Sequence, residues 1–143
     1  MIRFTKEMLR PKKRTVRSTQ PKSGTREDLG IYVRSSWEAN YARYLNFLQS
    51  IGAIVRWQYE PKVFTFDGIK RGTRDYTPDF AVWETEQAEP TYYVEIKGYM
   101  SPRDRTKLYR MRQYYPDIEV RLVQAREYRE IQRKFSGAIG NWE

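Results

Sequence analysis

Apolar residues recur along the chain at two different spacings, and the changes of spacing predict where helices and strands lie. Residues 35–38 (SSWE) form a capping-box pattern, and Gly52 is a favourable helix terminator. Between them, aromatic and aliphatic residues three and four apart form one stripe, which predicts a first helix. Residues 53–60 alternate instead, and KVFTF continues at 62–66 after a proline, so strands are expected there.

The next segment predicts a β-hairpin followed by a second helix. AVWE at 81–84 and YYVEIK at 92–97 are strand-like runs that flank a polar connection. Ser101-Pro102 is a favourable helix start, with serine as the N-cap and proline in the first turn, and Pro116 ends the helix.

A further strand and a final helix complete the pattern. Residues 118–123 (IEVRLV) alternate, and Tyr128, Ile131 and Phe135 then fall on one face of a helix. The order of elements is helix, several strands, helix, strand, helix. This order predicts an α/β fold in which a central mixed β-sheet is flanked by helices.

Charge is distributed unevenly along the chain. The net charge is +9, but residues 1–26 carry +8, residues 27–97 carry −3 and residues 98–143 carry +4. We therefore expect a basic, flexible N-terminal arm at 1–27 and one folded domain at 28–143. Basic flanks are suited to phosphate binding, although an arm of this kind can also be no more than a solvated tail. The predicted DNA contacts are Lys12, Lys13, Arg14, Arg17, Arg34, Ser35, Arg103, Arg105 and Lys107.

The composition excludes several kinds of chemistry. The chain has no Cys and no His, so disulfides, Cys/His zinc sites and imidazole-based catalysis are impossible. Any catalysis must use carboxylates, Lys, Tyr, Ser or Thr, or hard cations held by oxygen ligands. No apolar run approaches the roughly 20 residues that span a bilayer, and no signal peptide is recognisable. A cytoplasmic protein without membrane partners is expected.

One constellation of residues suits metal-dependent chemistry. Glu95 and Lys97 are two apart on a predicted strand and share a face, and a hairpin would place Asp79 across from Glu95. Two neighbouring carboxylates repel each other unless a cation bridges them, and Mg²⁺ binds such pairs together with water and substrate phosphate. A lysine beside the metal-bound water can orient it or help to deprotonate it.

Several of these segments together resemble the PD-(D/E)xK nuclease superfamily. Pro78-Asp79 and Glu95-Ile96-Lys97 supply its two half-motifs. Over about residues 34 to 123 the chain is similar to phage endonuclease I and the related archaeal-type enzymes that resolve four-way (Holliday) junctions. The segments that carry this likeness are Arg34-Ser35 with Glu38, Tyr76-Thr77-Pro78-Asp79-Phe80, Val94 to Gly98, and Asp104-Arg105-x-Lys107.

The resemblance implies a restriction-endonuclease-like fold and a role for each motif residue. Asp79, Glu95 and the Ile96 carbonyl would bind Mg²⁺, for which Mn²⁺ substitutes, and Glu38 would complete a second metal position, giving one or two ions per site. Lys97 would position or activate the attacking water. Two symmetric cuts across a four-way junction, leaving 5′-phosphates, would require a homodimer.

Other interpretations stay open at this point. Glu38 can be only the capping-box partner of Ser35, and Glu95 with Lys97 can be an exposed strand pair of little energetic value. A nuclease of the same fold could instead serve restriction, transposon-end cleavage or trimming of branched DNA. A DNA-binding protein without catalysis, in which the acidic cluster is structural, is the remaining alternative.

The arm gives a testable prediction. Deleting residues 1–26 should weaken DNA binding and flatten its salt dependence, since each lost phosphate contact removes about 0.9 from the slope of log K against log salt. Binding measured over a range of salt concentrations tests this, and an unchanged slope would mean that the arm does not touch DNA.

Overall fold

The computed structural model describes residues 23–143, so Lys12, Lys13, Arg14 and Arg17 lie outside the described residues. The helices of this part are α1 (Ser36–Ser50), α2 (Pro102–Tyr114) and α3 (Ala125–Phe135). The strands are β1 (Gly24–Arg26), β2 (Ile31–Val33), β3 (Arg56–Tyr59), β4 (Phe64–Thr65), β5 (Asp75–Tyr76), β6 (Phe80–Trp83), β7 (Tyr92–Ile96) and β8 (Val120–Val123). The last residues assigned to the arm therefore form β1. The chain divides into two compact units, one of residues up to Ile54 together with Arg126–Glu143, the other of Val55–Ala125.

The Val55–Ala125 unit contains a four-stranded mixed sheet of order β3-β6-β7-β8. The first three strands are antiparallel neighbours, whereas β8 lies parallel to β7. A parallel neighbour needs a crossover connection, and α2 supplies it. The predicted α/β class with a mixed sheet is therefore confirmed, as is the predicted hairpin of β6 and β7.

One face of this sheet packs against α2 and the short β4–β5 hairpin. Ala81, Trp83 and Tyr93 project from this face because residues two apart share a side of a strand. They form a buried cluster with side chains from both covering elements: Phe64, Phe66, Tyr76 and Met111. Val94 and Ile96 project from the opposite face and are also buried, as their alternation predicted.

The start of α2 is fixed by a complete capping box. Ser101 Oγ accepts a hydrogen bond from the backbone N–H of Asp104 at 3.1 Å. In return, Asp104 Oδ2 accepts the N–H of Ser101 at 3.0 Å. Pro102 occupies the first turn, where a missing N–H costs no helical hydrogen bond. The predicted helix start at Ser101-Pro102 is therefore confirmed.

The other unit contains the β1–β2 hairpin, α1 and α3. Aromatic contacts join the two helices: Trp37 stacks on Tyr128 with ring centroids 4.2 Å apart, and Phe135 packs against Tyr44 at 5.2 Å. Tyr128 and Phe135 are buried, so the predicted apolar face of the last helix is the packed one. None of the helices between residues 23 and 143 is long and apolar enough to cross a membrane.

A charged network holds this unit together around Arg43, which is buried on α1. Its guanidinium donates to Asp28 at 2.8 Å and to Glu143 at 3.0 Å. Arg26 of β1 also donates to Glu143, at 2.7 Å. Burial alone would raise the pKa of Glu143, but these two arginines lower the pKa to about 2. Three segments distant in sequence are thereby tied together by one carboxylate.

This network predicts a pH-dependent loss of stability in Glu143→Gln. A depressed carboxyl pKa stabilises the fold above the unfolded pKa of about 4.5, and this contribution is lost as the pH falls towards about 2. We expect the variant to be less stable by about 1–2 kcal/mol at neutral pH, a figure discounted for solvent screening. The difference from wild type should narrow as the pH falls through this window.

Urea unfolding at several pH values measures this difference. Glu130→Gln is the matched control, because Glu130 pairs with Arg133 and Lys134 on an exposed surface of α3 and should change nothing measurable. Equal stabilities of Glu143→Gln and wild type at neutral pH would contradict the prediction.

Candidate active site

The pairing of β6 with β7 brings the two predicted metal-binding carboxylates together. Phe80 pairs with Val94 in this antiparallel ladder, so one step further along it Asp79 faces Glu95. Asp79 Oδ2 accepts the backbone N–H of Ile96 at 2.7 Å. Both carboxylates are buried, with 7% of Asp79 and 5% of Glu95 exposed. The proposal that Glu95 belongs to an exposed strand pair is therefore wrong.

The two oxygens of Glu95 have different partners. Tyr76, on β5, donates its hydroxyl to Oε2 at 2.7 Å, and the Lys97 ammonium lies 3.3 Å from Oε1. Burial raises the pKa of Glu95, although the hydrogen bond from Tyr76 and the charge of Lys97 act in the opposite direction. Ionising Glu95 therefore costs free energy at this buried position, and a further positive charge nearby would reduce that cost.

Lys97 lies between two carboxylates. Its ammonium is 3.3 Å from Glu95 Oε1 and 3.4 Å from Asp104 Oδ1. Burial by itself would lower the pKa of Lys97, but the negative charges of Glu95 and Asp104 outweigh burial and raise it. The two carboxylates thus favour the charged form of Lys97. An ammonium group carries a positive charge and three N–H donors, which suits the predicted role of orienting water.

These groups line a shallow depression between β7 and α2. Its lining residues are Tyr76, Glu95, Lys97, Met100, Asp104, Lys107 and Leu108. Of the three basic residues predicted to bind DNA on α2, Lys107 reaches this depression, and its positive charge acts on Glu95. Arg103 and Arg105 are exposed on the first turns of the same helix. Two ammonium groups, those of Lys97 and Lys107, therefore line the depression.

The donor set fits a divalent cation that binds through few protein ligands. Asp79 and Glu95 offer carboxylate oxygens, and the Ile96 carbonyl points towards the same neighbouring strand as its N–H, which bonds to Asp79. Mg²⁺ is commonly held by one or two carboxylates with waters and substrate phosphate completing its shell. No group of three acidic side chains arranged to hold a metal occurs among residues 23–143.

Glu38, Arg34 and Ser35 belong to the other unit, around the start of α1. Ser35 is the N-cap and accepts the N–H of Glu38 at 3.1 Å, as the capping pattern predicted. The Glu38 carboxylate accepts the N–H of Arg34 at 2.9 Å, where a strict capping box would use Ser35. Only 8% of Glu38 is exposed. Its buried carboxylate thus has a capping role, and its part in a second metal position stays a prediction.

Two polar residues that line the depression, Tyr76 and Asp104, were not among the predicted site residues. Both residues appear in the sequence analysis only as members of the segments that carry the resemblance, Tyr76 to Phe80 and Asp104 to Lys107. The contacts of Tyr76 with Glu95 and of Asp104 with Lys97 arise only when β5 and α2 pack beside β7. The sequence predicted Ser101 as the N-cap of α2, but nothing in the sequence links Asp104 to Lys97.

Comparison of the chain with protein-family models, with curated proteins and with solved structures finds no match.

The hydrogen bond from Tyr76 predicts the effect of Tyr76→Phe. Removing the hydroxyl leaves Oε2 of a buried carboxylate without that donor, which should cost about 1.5–3 kcal/mol of unfolding free energy. Tyr115→Phe is the matched control, because the Tyr115 hydroxyl donates to the Thr65 carbonyl at an exposed position where water can replace it. Chemical denaturation measures the free energy of unfolding of both variants. Equal losses of stability in the two would contradict the prediction that the hydrogen bond from Tyr76 to Glu95 contributes more than an exposed one.

Proposed function

We propose that this protein is a metal-dependent DNA endonuclease whose active site contains Asp79, Glu95 and Lys97. The observation that carries the proposal is the convergence of these three side chains around the end of one β-hairpin. Their order along the chain and their spacing are those of the PD-(D/E)xK pattern that the sequence resembles. The burial of both carboxylates adds support, because two buried acids beside each other are costly unless a cation joins them.

Asp79, Glu95 and the Ile96 carbonyl would hold Mg²⁺, or Mn²⁺ in its place, with Glu38 at a second position if two ions bind. A cation there would lower the pKa of a bound water and offset the charge that develops on the phosphate. Asp79 is oriented for this task by the Ile96 N–H, and Glu95 by the Tyr76 hydroxyl. Each ligand is therefore held before any substrate arrives.

Lys97 would act as a charged donor beside the reacting phosphate. Its ammonium can orient the attacking water or bind a non-bridging phosphate oxygen, since it carries three N–H donors. Lys107 lies in the same depression and can bind a neighbouring phosphate. Arg103 and Arg105 are exposed nearby on α2 and extend the basic surface along the helix.

The proposed substrate is a four-way DNA junction, cut by two symmetric nicks that leave 5′-phosphates. This part rests on the resemblance to junction-resolving enzymes and on the basic flanks of the sequence. Selectivity would come from junction shape and phosphate spacing, because no base-reading module is recognisable. Paired cuts imply a homodimer, and we place its action in the cytoplasm, that of the host if a phage encodes the protein.

Two other functions remain as outcomes of the tests. A nuclease of the same fold could act in restriction, at transposon ends or on other branched DNA. A DNA-binding protein without catalysis could use the acidic cluster structurally.

Cleavage by Asp79→Asn distinguishes catalysis from binding. We expect wild type to cut a labelled four-way junction in Mg²⁺ and to be inactive in chelator. The variant should cut about 1,000-fold more slowly, because a metal site supplies several kcal/mol of transition-state stabilisation and each 1.4 kcal/mol is worth about tenfold. Glu86→Gln removes an exposed carboxylate from the β6–β7 connection and is the matched control.

A substrate panel then distinguishes junction resolution from the other nuclease activities. A four-way junction, the matching duplex and a single strand would be compared at equal concentration in Mg²⁺. Equal rates on all three would rule out junction selectivity, whereas binding without any cleavage in Mg²⁺ or Mn²⁺ would favour the non-catalytic protein. Unchanged cleavage by Asp79→Asn would show that the site assignment is wrong.

A further inference from the structure

Asp104 uses its two carboxylate oxygens for two separate tasks. Oδ2 accepts the Ser101 N–H at 3.0 Å and the Ser101 hydroxyl at 2.8 Å, which completes the capping box of α2. Oδ1 lies 3.4 Å from the Lys97 ammonium. A residue needed only for capping would have no reason to present its second oxygen to the lysine of the proposed active site.

Glu95 divides its oxygens in the same way. Oε2 is held by the Tyr76 hydroxyl, and Oε1 lies 3.3 Å from Lys97. The ammonium of Lys97 therefore lies between two carboxylates, each anchored through its other oxygen: Glu95 by Tyr76 of β5 and Asp104 by Ser101, the N-cap of α2. The two ion pairs restrict the conformations of the Lys97 side chain, whose four-carbon stem is otherwise flexible.

We propose that Asp104 is a positioning residue, which holds the Lys97 ammonium in place for the cleavage reaction. The inference rests on the proposed endonuclease function. Glu95 is the predicted ligand of a cation, and once its charge is shared with that cation it attracts Lys97 less. Asp104 is not one of the predicted ligands, so its attraction for Lys97 persists. It thereby keeps the ammonium beside the reacting phosphate when Glu95 no longer can.

The capping box couples this positioning to the start of α2. Because Ser101 fixes Asp104 Oδ2, the orientation of Oδ1 follows from the geometry of the first helical turn. Arg103 and Arg105 lie on the same turns and are exposed. DNA bound along α2 would therefore contact the segment that holds Lys97.

Asp104→Asn tests the proposal, since asparagine retains an oxygen that can accept the Ser101 N–H but loses the negative charge. We expect kcat on a four-way junction in Mg²⁺ to fall about 10–100-fold, the range for residues that orient metal-site groups. The KM should stay within about twofold, because Asp104 does not itself contact the phosphate. Ser101→Ala is the comparison: it removes the hydroxyl from the cap and keeps the carboxylate, so it should lower the urea midpoint yet reduce kcat far less.

A second measurement does not depend on activity. In metal-free protein, NMR relaxation of the Lys97 side chain should report greater mobility in Asp104→Asn than in wild type and in Ser101→Ala. Unchanged mobility together with unchanged kcat in Asp104→Asn would overturn the proposal. Equal losses of kcat in Asp104→Asn and Ser101→Ala would also overturn it, because they would show that Asp104 acts only as a capping residue. Failure of the wild type to cleave any DNA would instead overturn the endonuclease function, while the relaxation comparison would still decide whether Asp104 restrains Lys97.

Discussion

The candidate site depends on the register of one pair of strands. Phe80 opposite Val94 fixes the β6–β7 ladder, and the next step along it places Asp79 opposite Glu95. A shift by one residue would turn every side chain of β7 to the other face of the sheet. Glu95 would then project where Val94 and Ile96 are now buried. The apolar residues that bury this hairpin thus also bring the two carboxylates together.

Asp79, Glu95 and Lys97 are each held by a neighbour from a different element. Asp79 is bound by the backbone of β7, Glu95 by Tyr76 of β5, and Lys97 by Asp104 of α2. Such second contacts fix side-chain orientation and so reduce the reorganisation that catalysis would otherwise require. They also satisfy polar atoms that would be costly to bury unpaired. The same contacts therefore stabilise the Val55–Ala125 unit and would orient these side chains for the proposed reaction.

Local patterns in the sequence were enough to predict the α/β class, the β6–β7 hairpin and the start of α2. Alternation fixes which residues of a strand share a face, and Ser101-Pro102 fixes a helix start through caps that lie within one turn. The contact of Asp104 with Lys97 could not be predicted, because it depends on how α2 packs against β7. The capping contact of the Glu38 carboxylate with Arg34 in place of Ser35 is likewise a matter of side-chain rotation that spacing alone does not determine.

The proposed function requires that Asp79 and Glu95 together bind a divalent cation. Binding of Mn²⁺, followed by electron paramagnetic resonance as the ion is titrated into metal-free protein, tests this directly. We expect saturable binding by wild type that is greatly weakened in Asp79→Asn and in Glu95→Gln and unaffected in Glu86→Gln. Equal binding by wild type and both site variants, or no binding by wild type even when junction DNA is present, would contradict it.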